Sequence, residues 1–406
     1  MGEHRQLGQA VVSAPVPSVL IARGYSVAPW DVGPLLELPD RFQVSVLWTG
    51  AKHDPIPEQL RTVPVRALGE LLPGGALREL STMVLANRYL SADEAFAEAD
   101  IVHSAELSYW PAADAARRRR GHRFRLALTV WETLPLLSAY RNHHARRFRE
   151  QVLANTDLFL AATERAALAL ELEGVPRERI AVCPPGIDTA RFAAVPGRPA
   201  PAVHTIVSPG RLVWEKGHQD ALRALALLHR GIVRTPADEI VRPRLRIIGS
   251  GPEESRLRAY AAELGLSDVL EIRRVPYEEM PAVFADASAM VLASQPVAKA
   301  ALHPLGIPHA FWEEQFGFVL AEAMAAGLSI VTTTSGAIPE VVRGAPVQLV
   351  APGDWLAMAQ ELAAGPLSRA PGARVSYPED VLQRYSSSAA AEHLAAAYDR
   401  LLASSR

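Results

Sequence analysis

The sequence predicts two α/β domains, each built on a parallel sheet with helical crossovers. Three observations carry this. Short apolar runs such as Leu126–Val130, Leu158–Ala161 and Ser288–Leu292 alternate with helical stretches, the pattern of parallel strands joined by right-handed crossovers. The chain has 406 residues, more than one ordinary hydrophobic core serves. Ala193–Ala202, rich in Pro, Ala and Gly, is the clearest linker, and it sets domains at 1–195 and 203–380.

Composition narrows the function classes. With 49% hydrophobic and 21% charged residues the chain is globular rather than disordered or fibrous. A net charge of −2 gives no global attraction to nucleic acid or to an anionic membrane. Cys183 is the single cysteine, so neither a disulfide nor a cysteine-based metal site is available. Pro15 and Pro17 interrupt any signal-like apolar core, and no apolar run approaches the roughly twenty residues of a membrane span. A cytoplasmic protein is the expectation.

In the first half, Val16–Ala22, Gln43–Trp48 and Val63–Leu68 read as strands. Gly24, Pro29, Gly33 and Pro34 predict an irregular loop after the first of them. Leu77–Leu90 and Ala92–Ala99 have helical spacing, with Ser91 and Asp93 as candidate caps. Asp100–His103 is a strand running into Ser104-Ala-Glu106, and Leu126–Val130 ends at Trp131-Glu132. Polar and aromatic groups therefore collect where open α/β sheets bind ligands. His103 reads equally as a satisfied histidine at a strand end, and Glu106 and Glu132 as helix-start carboxylates. The arginine runs Arg117–Arg120 and Arg141–Arg149 read as solvated helix faces, or as a patch for an anionic acceptor or membrane surface. Leu158–Ala161, a helix opened by Thr163 and stopped by Gly174, and the strand at Ile180 complete this half.

The second half opens with the strand Val203–Val207. Ser208-Pro-Gly-Arg-Leu-Val-Trp-Glu-Lys-Gly217 follows, then a helix from about Gln219 to Leu228. Strand, glycine-bearing loop, Arg211 and Lys216, then helix start suit a diphosphate, although no G-x-x-x-x-G-K-[ST] is present. Leu245–Gly251 is a further strand and glycine turn, leading into a helix at Glu254–Leu264. Helix Pro276–Ala285 precedes the strand Ser288–Leu292, and a long loop carries His303 and His309. Glu314 and Glu322 then flank the turn Gln315-Phe-Gly317, which opens an apolar helix stopped by Gly327. Eight residues of helix turn through about 80°, so the two carboxylates need not face one atom. Leu328–Thr333 is the next strand, and Asp380–Leu402 a terminal helix broken around Tyr385–Ser388.

Taken together, Pro209-Gly-Arg211…Glu215-Lys216-Gly217, Gly249-Ser-Gly-Pro252, Glu314…Glu322-Ala-Met-Ala-Ala-Gly327 and Ser335-Gly-Ala-Ile-Pro-Glu340 resemble the retaining glycosyltransferases of family 4. The resemblance implies the GT-B fold, two facing Rossmann-like domains with the C-terminal helix 381–406 packing back on the first. It implies that Arg211 and Lys216 neutralise a donor diphosphate beside Gly210, Gly249 and Gly251. Glu314 would touch the transferred sugar and Glu322 the nucleotide ribose, while Gln315, Phe316, Gly317 and Phe318 would present the turn to the donor. The catalytic set it suggests is Glu314, Lys216, Arg211 and His103, with Glu106, Trp131 and Glu132 on the acceptor side. This chain has Ala105 where many members carry a second histidine.

The expected donor is a UDP- or GDP-sugar and the acceptor a small-molecule or lipid-linked hydroxyl, with no nucleic-acid partner. No D-x-D pair occurs, so no metal or cofactor is expected, and six-residue spacing of His303 and His309 predicts no fixed metal geometry. The Ala/Arg-rich composition suggests a bacterial source and natural-product or cell-envelope glycosylation. A sugar-nucleotide 2-epimerase or a non-catalytic sugar-nucleotide-binding subunit are the rival readings.

Overall fold

The computed structural model describes residues 16–25, 27, 29–49, 56–71, 87–137, 143–193, 201–298 and 310–404. Two parallel sheets organise it. The first joins β1 (Ser18–Ile21), β2 (Gln43–Trp48), β3 (Arg61–Pro64), β6 (Ile101–Ala105), β7 (Arg125–Val130), β8 (Leu158–Ala161) and β9 (Ile180–Val182) in the order β3-β2-β1-β6-β7-β8-β9. A small antiparallel ladder of β4 (Arg66–Ala67) and β5 (Tyr89–Leu90) lies beside it. The second sheet joins β10 (Thr205–Pro209), β11 (Arg244–Ile248), β12 (Leu270–Arg273), β13 (Ala289–Leu292), β16 (Ser329–Thr333) and β17 (Gln348–Val350) in the order β12-β11-β10-β13-β16-β17. Between β13 and β16 an antiparallel pair, β14 (Val297–Ala298) and β15 (Ala310–Trp312), projects from the sheet.

Strand order reverses between β1 and β6 in the first sheet and between β10 and β13 in the second. Such switch points open a crevice at the carboxyl ends of the strands, and ligands bind there. The central strands β8, β13 and β16 are buried along their whole length because helices cover both faces. The terminal helix Ser387–Ala403 packs on the first sheet's side: Tyr398 is fully buried, edge-on to Phe42 at 5.5 Å and hydrogen-bonded to His103 at 2.8 Å. The expected return of this helix to the first half is what the chain does.

Three local expectations need correction. The predicted loop after β1 contains a helix, Pro29–Leu36, with Pro34 inside it. Pro29 suits a first-turn position, and burial of Leu35 and Leu38 with close approach of Gly33 to Ser387 outweighs the propensity cost of Pro34. The predicted helix Leu77–Leu90 lies mostly outside the described residues, and its end is the strand β5 rather than helix. Tyr89 explains this, because its hydroxyl accepts from Gly24 N–H at 2.7 Å and donates to Gly24 carbonyl oxygen at 3.0 Å. Helix Asp93–Glu98 begins with neither Ser91 nor Asp93 as a side-chain cap.

Candidate active site

The site forms at the switch point of the second sheet. The chain leaves β10 through Gly210 and Arg211, makes a single helical turn at Trp214–Lys216, and enters the helix His218–His229 through Gly217. Gly217 has φ +70°, and a Cβ there would lie 1.9 Å from the Ala293 carbonyl oxygen, so only glycine lets the loop lie against the end of β13. Gly249 does the same against Gly210, where a Cβ would meet the Gly210 carbonyl oxygen at 1.9 Å.

Lys216 and Glu314 meet in this crevice from opposite ends of the half. Lys216 Nζ donates to Glu314 Oε2 at 2.6 Å across 98 residues of sequence. Ser294 Oγ donates to the same oxygen at 2.6 Å, and the Lys216 ammonium sits 5.0 Å from the Trp312 ring centre. The Glu314 backbone is held as well: its N–H donates to Ser335 Oγ at 3.4 Å and its carbonyl oxygen accepts from Ala337 N–H at 2.8 Å. A largely buried carboxylate with a cation and a hydroxyl on one oxygen is fixed in place, and its other oxygen remains for a hydroxyl-bearing ligand. Arg211 stands exposed at the loop entrance.

His218 lies beneath this loop and escaped notice in the sequence. It is 1% exposed, with Nε2 3.2 Å from the Arg211 carbonyl oxygen and Nδ1 2.9 Å from Ser208 Oγ. A carbonyl only accepts, so Nε2 carries the proton and Nδ1 accepts from Ser208. Burial pushes its pKa down to about 4, so the ring is neutral and serves to hold the loop. Its place directly after Lys216-Gly217 was the only available signal.

The helix Phe318–Ala325 begins at Gly317, whose φ of +78° is a left-handed turn. Phe316 is buried, so the turn can offer a ligand its backbone and not this ring, while Gln315 and Phe318 are half-buried. Glu322 is buried, and its Oε1 accepts from Tyr277 Oη at 2.9 Å. The Arg191 guanidinium lies 5.2 Å from the Tyr277 ring centre. Burial raises the Glu322 carboxyl to about 7, against the Tyr277 hydrogen bond and the Arg191 charge, which lower it. Its folded pKa lies above the ordinary 4.5, so its contribution to stability is present below that value and is lost as pH rises through about 7. Tyr277 and Arg191 border a cavity of about 940 Å³ between the halves, closed on the far side by Val32, Ile56 and Ser387.

The first half meets this site with less of the expected chemistry. His103 is 1% exposed, with Nδ1 2.8 Å from Tyr398 Oη and Nε2 2.7 Å from Thr129 Oγ1. Burial and the nearby Arg23 charge hold its pKa well below 6.5. Both ring nitrogens have hydrogen-bond partners, and the neutral ring ties the terminal helix to the sheet at the edge of a cavity that it lines with Arg23, Thr129 and Trp131. Glu106, at φ +64°, accepts from Trp131 N–H at 2.8 Å and fixes that backbone. Glu132 accepts from Thr133 and Leu134 N–H, both at 3.1 Å, and closes its own loop. Trp131 reaches the other half, 5.3 Å from the Phe318 ring and 6.2 Å from Phe316.

Much of the arginine-rich sequence is internally paired. Arg117 and Arg118 bind Asp114, Arg119 and Arg125 bind Asp157, and Arg149 binds Glu173. His303 and His309 lie outside the described residues. Among the described residues no cluster of three or more metal-binding side chains occurs, and no helix is long and apolar enough to cross a membrane.

Known proteins match this chain over both halves. The family model Glycosyltransferase Family 4 matches residues 35–191, and Glycosyl transferases group 1 matches residues 199–364. WcaL of Escherichia coli, provisionally named a colanic acid biosynthesis glycosyltransferase, is 34% identical over 225 residues, 55% of this chain and 50% of WcaL. The D-inositol 3-phosphate glycosyltransferase of Streptomyces bingchenggensis is 29% identical over 216 residues, 50% of this chain and 44% of that protein. The chain thus spans about half the length of the curated relatives it matches. Among solved structures, Anabaena HepE in complex with UDP and glucose superposes with a TM-score of 0.68 over 95% of this chain and 100% of HepE, at 16% identity. Sucrose-phosphate synthase from Thermosynechococcus elongatus gives 0.67 over 96% and 100%, at 18% identity. With one family model on each sheet, and the two facing sheets of the GT-B fold beneath them, the chain belongs to the family 4 glycosyltransferases.

Proposed function

We propose that this protein is a retaining, metal-independent glycosyltransferase that moves a sugar from a nucleoside-diphosphate donor to a hydroxyl acceptor. The observation that carries the reading is the 2.6 Å contact of Lys216 with Glu314 at the β10/β13 switch point. In this reading the Lys216 cation serves a departing diphosphate and the Glu314 carboxylate serves sugar hydroxyls, in a crevice walled by glycine backbone. Arg211 and Lys216 supply the charge that a metal would otherwise bring to the leaving phosphate. The departing phosphate itself takes the acceptor proton, so no protein base is required.

The relatives support a cell-envelope setting. Beside WcaL, a GDP-mannose-dependent phosphatidylinositol monomannoside mannosyltransferase of Mycolicibacterium smegmatis is 34% identical over 170 residues. A UDP- or GDP-sugar is therefore the proposed donor. Activity of this class without added acceptor would also separate it from a 2-epimerase, since a transferase leaks free nucleotide and an epimerase returns an isomerised donor.

Donor titration tests the reading. UDP-glucose or GDP-mannose is expected to bind in the presence of EDTA, with affinity that rises between pH 6 and 8. The sign follows from Glu322: a carboxylate accepts from both ribose hydroxyls, and protonation near pH 7 removes one acceptor. Glu322→Gln is expected to bind more weakly and to lose this pH dependence, while Tyr277→Phe moves it to higher pH by removing a hydrogen bond that favours ionisation. Binding that vanishes with EDTA, or a wild-type profile matching Glu322→Gln, would refute the assignment.

A further inference from the structure

The two halves also touch on the rim of the crevice, through groups that the donor site leaves unused. The helix Glu164–Leu172 of the first half starts there. Thr163 Oγ1 accepts from Ala166 N–H at 3.0 Å, and Glu340, from the second half, accepts from the N–H groups of Glu164 at 2.7 Å and Arg165 at 3.2 Å. A helix leaves its first amides without internal partners, and a carboxylate placed there also gains from the helix dipole. Glu340 thus completes a cap that Thr163 alone leaves unfinished.

The Arg165 side chain returns the contact. Its Nε and Nη2 donate to Glu313 Oε1 at 2.6 Å and Oε2 at 2.8 Å, a bidentate pair. The Glu313 side chain is 7% exposed, and this carboxylate raises the Arg165 pKa. Glu313 directly precedes Glu314. Two residues past Glu314, Phe316 is met by Trp131 of the first half, as is Phe318. The segment carrying Glu314 is therefore gripped by the first half on both sides.

We propose that Arg165 and Glu340 are positioning residues: together they form a two-point latch that fixes the first half over the Glu314 segment and so sets where an acceptor meets the donor. The consequence for transfer rests on the function proposed above; the latch itself rests on geometry alone. Neither residue contacts the donor groups Lys216, Glu314 or Glu322. Donor affinity should therefore be insensitive to the latch, because a ligand that binds both arrangements equally shifts neither.

Small-angle scattering on the purified full chain tests this. Arg165→Glu sets a carboxylate against the buried Glu313 and is expected to open the crevice, read as a larger radius of gyration. The charge swap Arg165→Glu with Glu313→Arg is expected to restore the wild-type value. Arg165→Gln together with Glu340→Gln, which removes attraction without adding repulsion, covers the case in which Arg165→Glu fails to fold. UDP-glucose or GDP-mannose affinity, measured in parallel, should stay within about threefold of wild type in the opened variants. An unchanged radius of gyration in the folded variants, or no recovery in the swap, overturns the latch. Failure of the wild type to bind either donor overturns the functional reading and leaves the latch to be decided by scattering alone.

Discussion

Lys216→Ala is expected to lower turnover by about 10²-fold or more, the usual cost of removing one group that stabilises developing charge. Two losses combine in this variant. In the proposed mechanism the leaving diphosphate loses a cation, and Glu314 loses the partner that holds it at 2.6 Å. Glu314 would keep Ser294 as a donor at 2.6 Å, so its side chain is loosened rather than released. Removing one member of a buried pair destabilises by about 3–5 kcal/mol in the general case, because a charge is left without compensation. The Lys216 side chain retains 14% exposure, which lets water relieve part of that cost. Nucleotide release from UDP-glucose or GDP-mannose, read beside a melting curve, separates the two effects. Glu314→Ala should fall by a similar factor. The double variant should fall far short of the product of the two, since residues that act as a unit are not additive. Full additivity would mean that the two groups serve different steps, and near-normal turnover in both single variants would refute the site.

The legible parts of the molecule were those written locally. The strands Gln43–Trp48 and Leu158–Ala161 and the helix Glu254–Leu264 were legible to the residue, because their apolar runs end at turn residues. The turn at Gly317 and the stop at Gly327 were legible for the same reason. The unread features depend on register between distant strands. Ser294 reaches Glu314 across 20 residues, Tyr277 reaches Glu322 across 45, and Arg165 reaches Glu313 across 148. Nothing in the local sequence distinguishes Arg165 from the arginines around it. His103 was visible as a strand-end histidine, but its hydrogen bond to Tyr398, 295 residues away, was not. The helix Pro29–Leu36 was hidden by its own Gly and Pro, and contacts with the terminal helix and the first sheet's core fix it.

Gly336→Ala is expected to lower turnover by about 10²-fold while leaving a folded protein with a lower melting temperature. Gly336 has φ +55°, and a Cβ added there would lie 2.1 Å from the Glu314 carbonyl oxygen and 2.8 Å from its nitrogen. Neither atom can move alone. The Glu314 carbonyl accepts from Ala337 N–H at 2.8 Å and its N–H donates to Ser335 Oγ at 3.4 Å, so the collision pushes the whole Glu314 backbone out of its seat. The left-handed backbone costs an alanine about 1–2 kcal/mol, and overpacking typically adds about 1–3 kcal/mol. The effect on rate is comparable in free energy, because a shift of about 1 Å in a catalytic group lowers rate by about 10²-fold, or about 2.7 kcal/mol. Gly353→Ala separates the two contributions. Gly353 has φ +81° with nothing within 4 Å of the added Cβ, so it carries the backbone cost alone. It should lower the melting temperature slightly and leave turnover intact. Equal turnover losses in the two variants would show that a strained glycine, and not the displacement of Glu314, is responsible. A normal rate in Gly336→Ala would mean that Glu314 does not need its present backbone position. The conformation that places this carboxylate is thus held by a glycine 22 positions later in the chain.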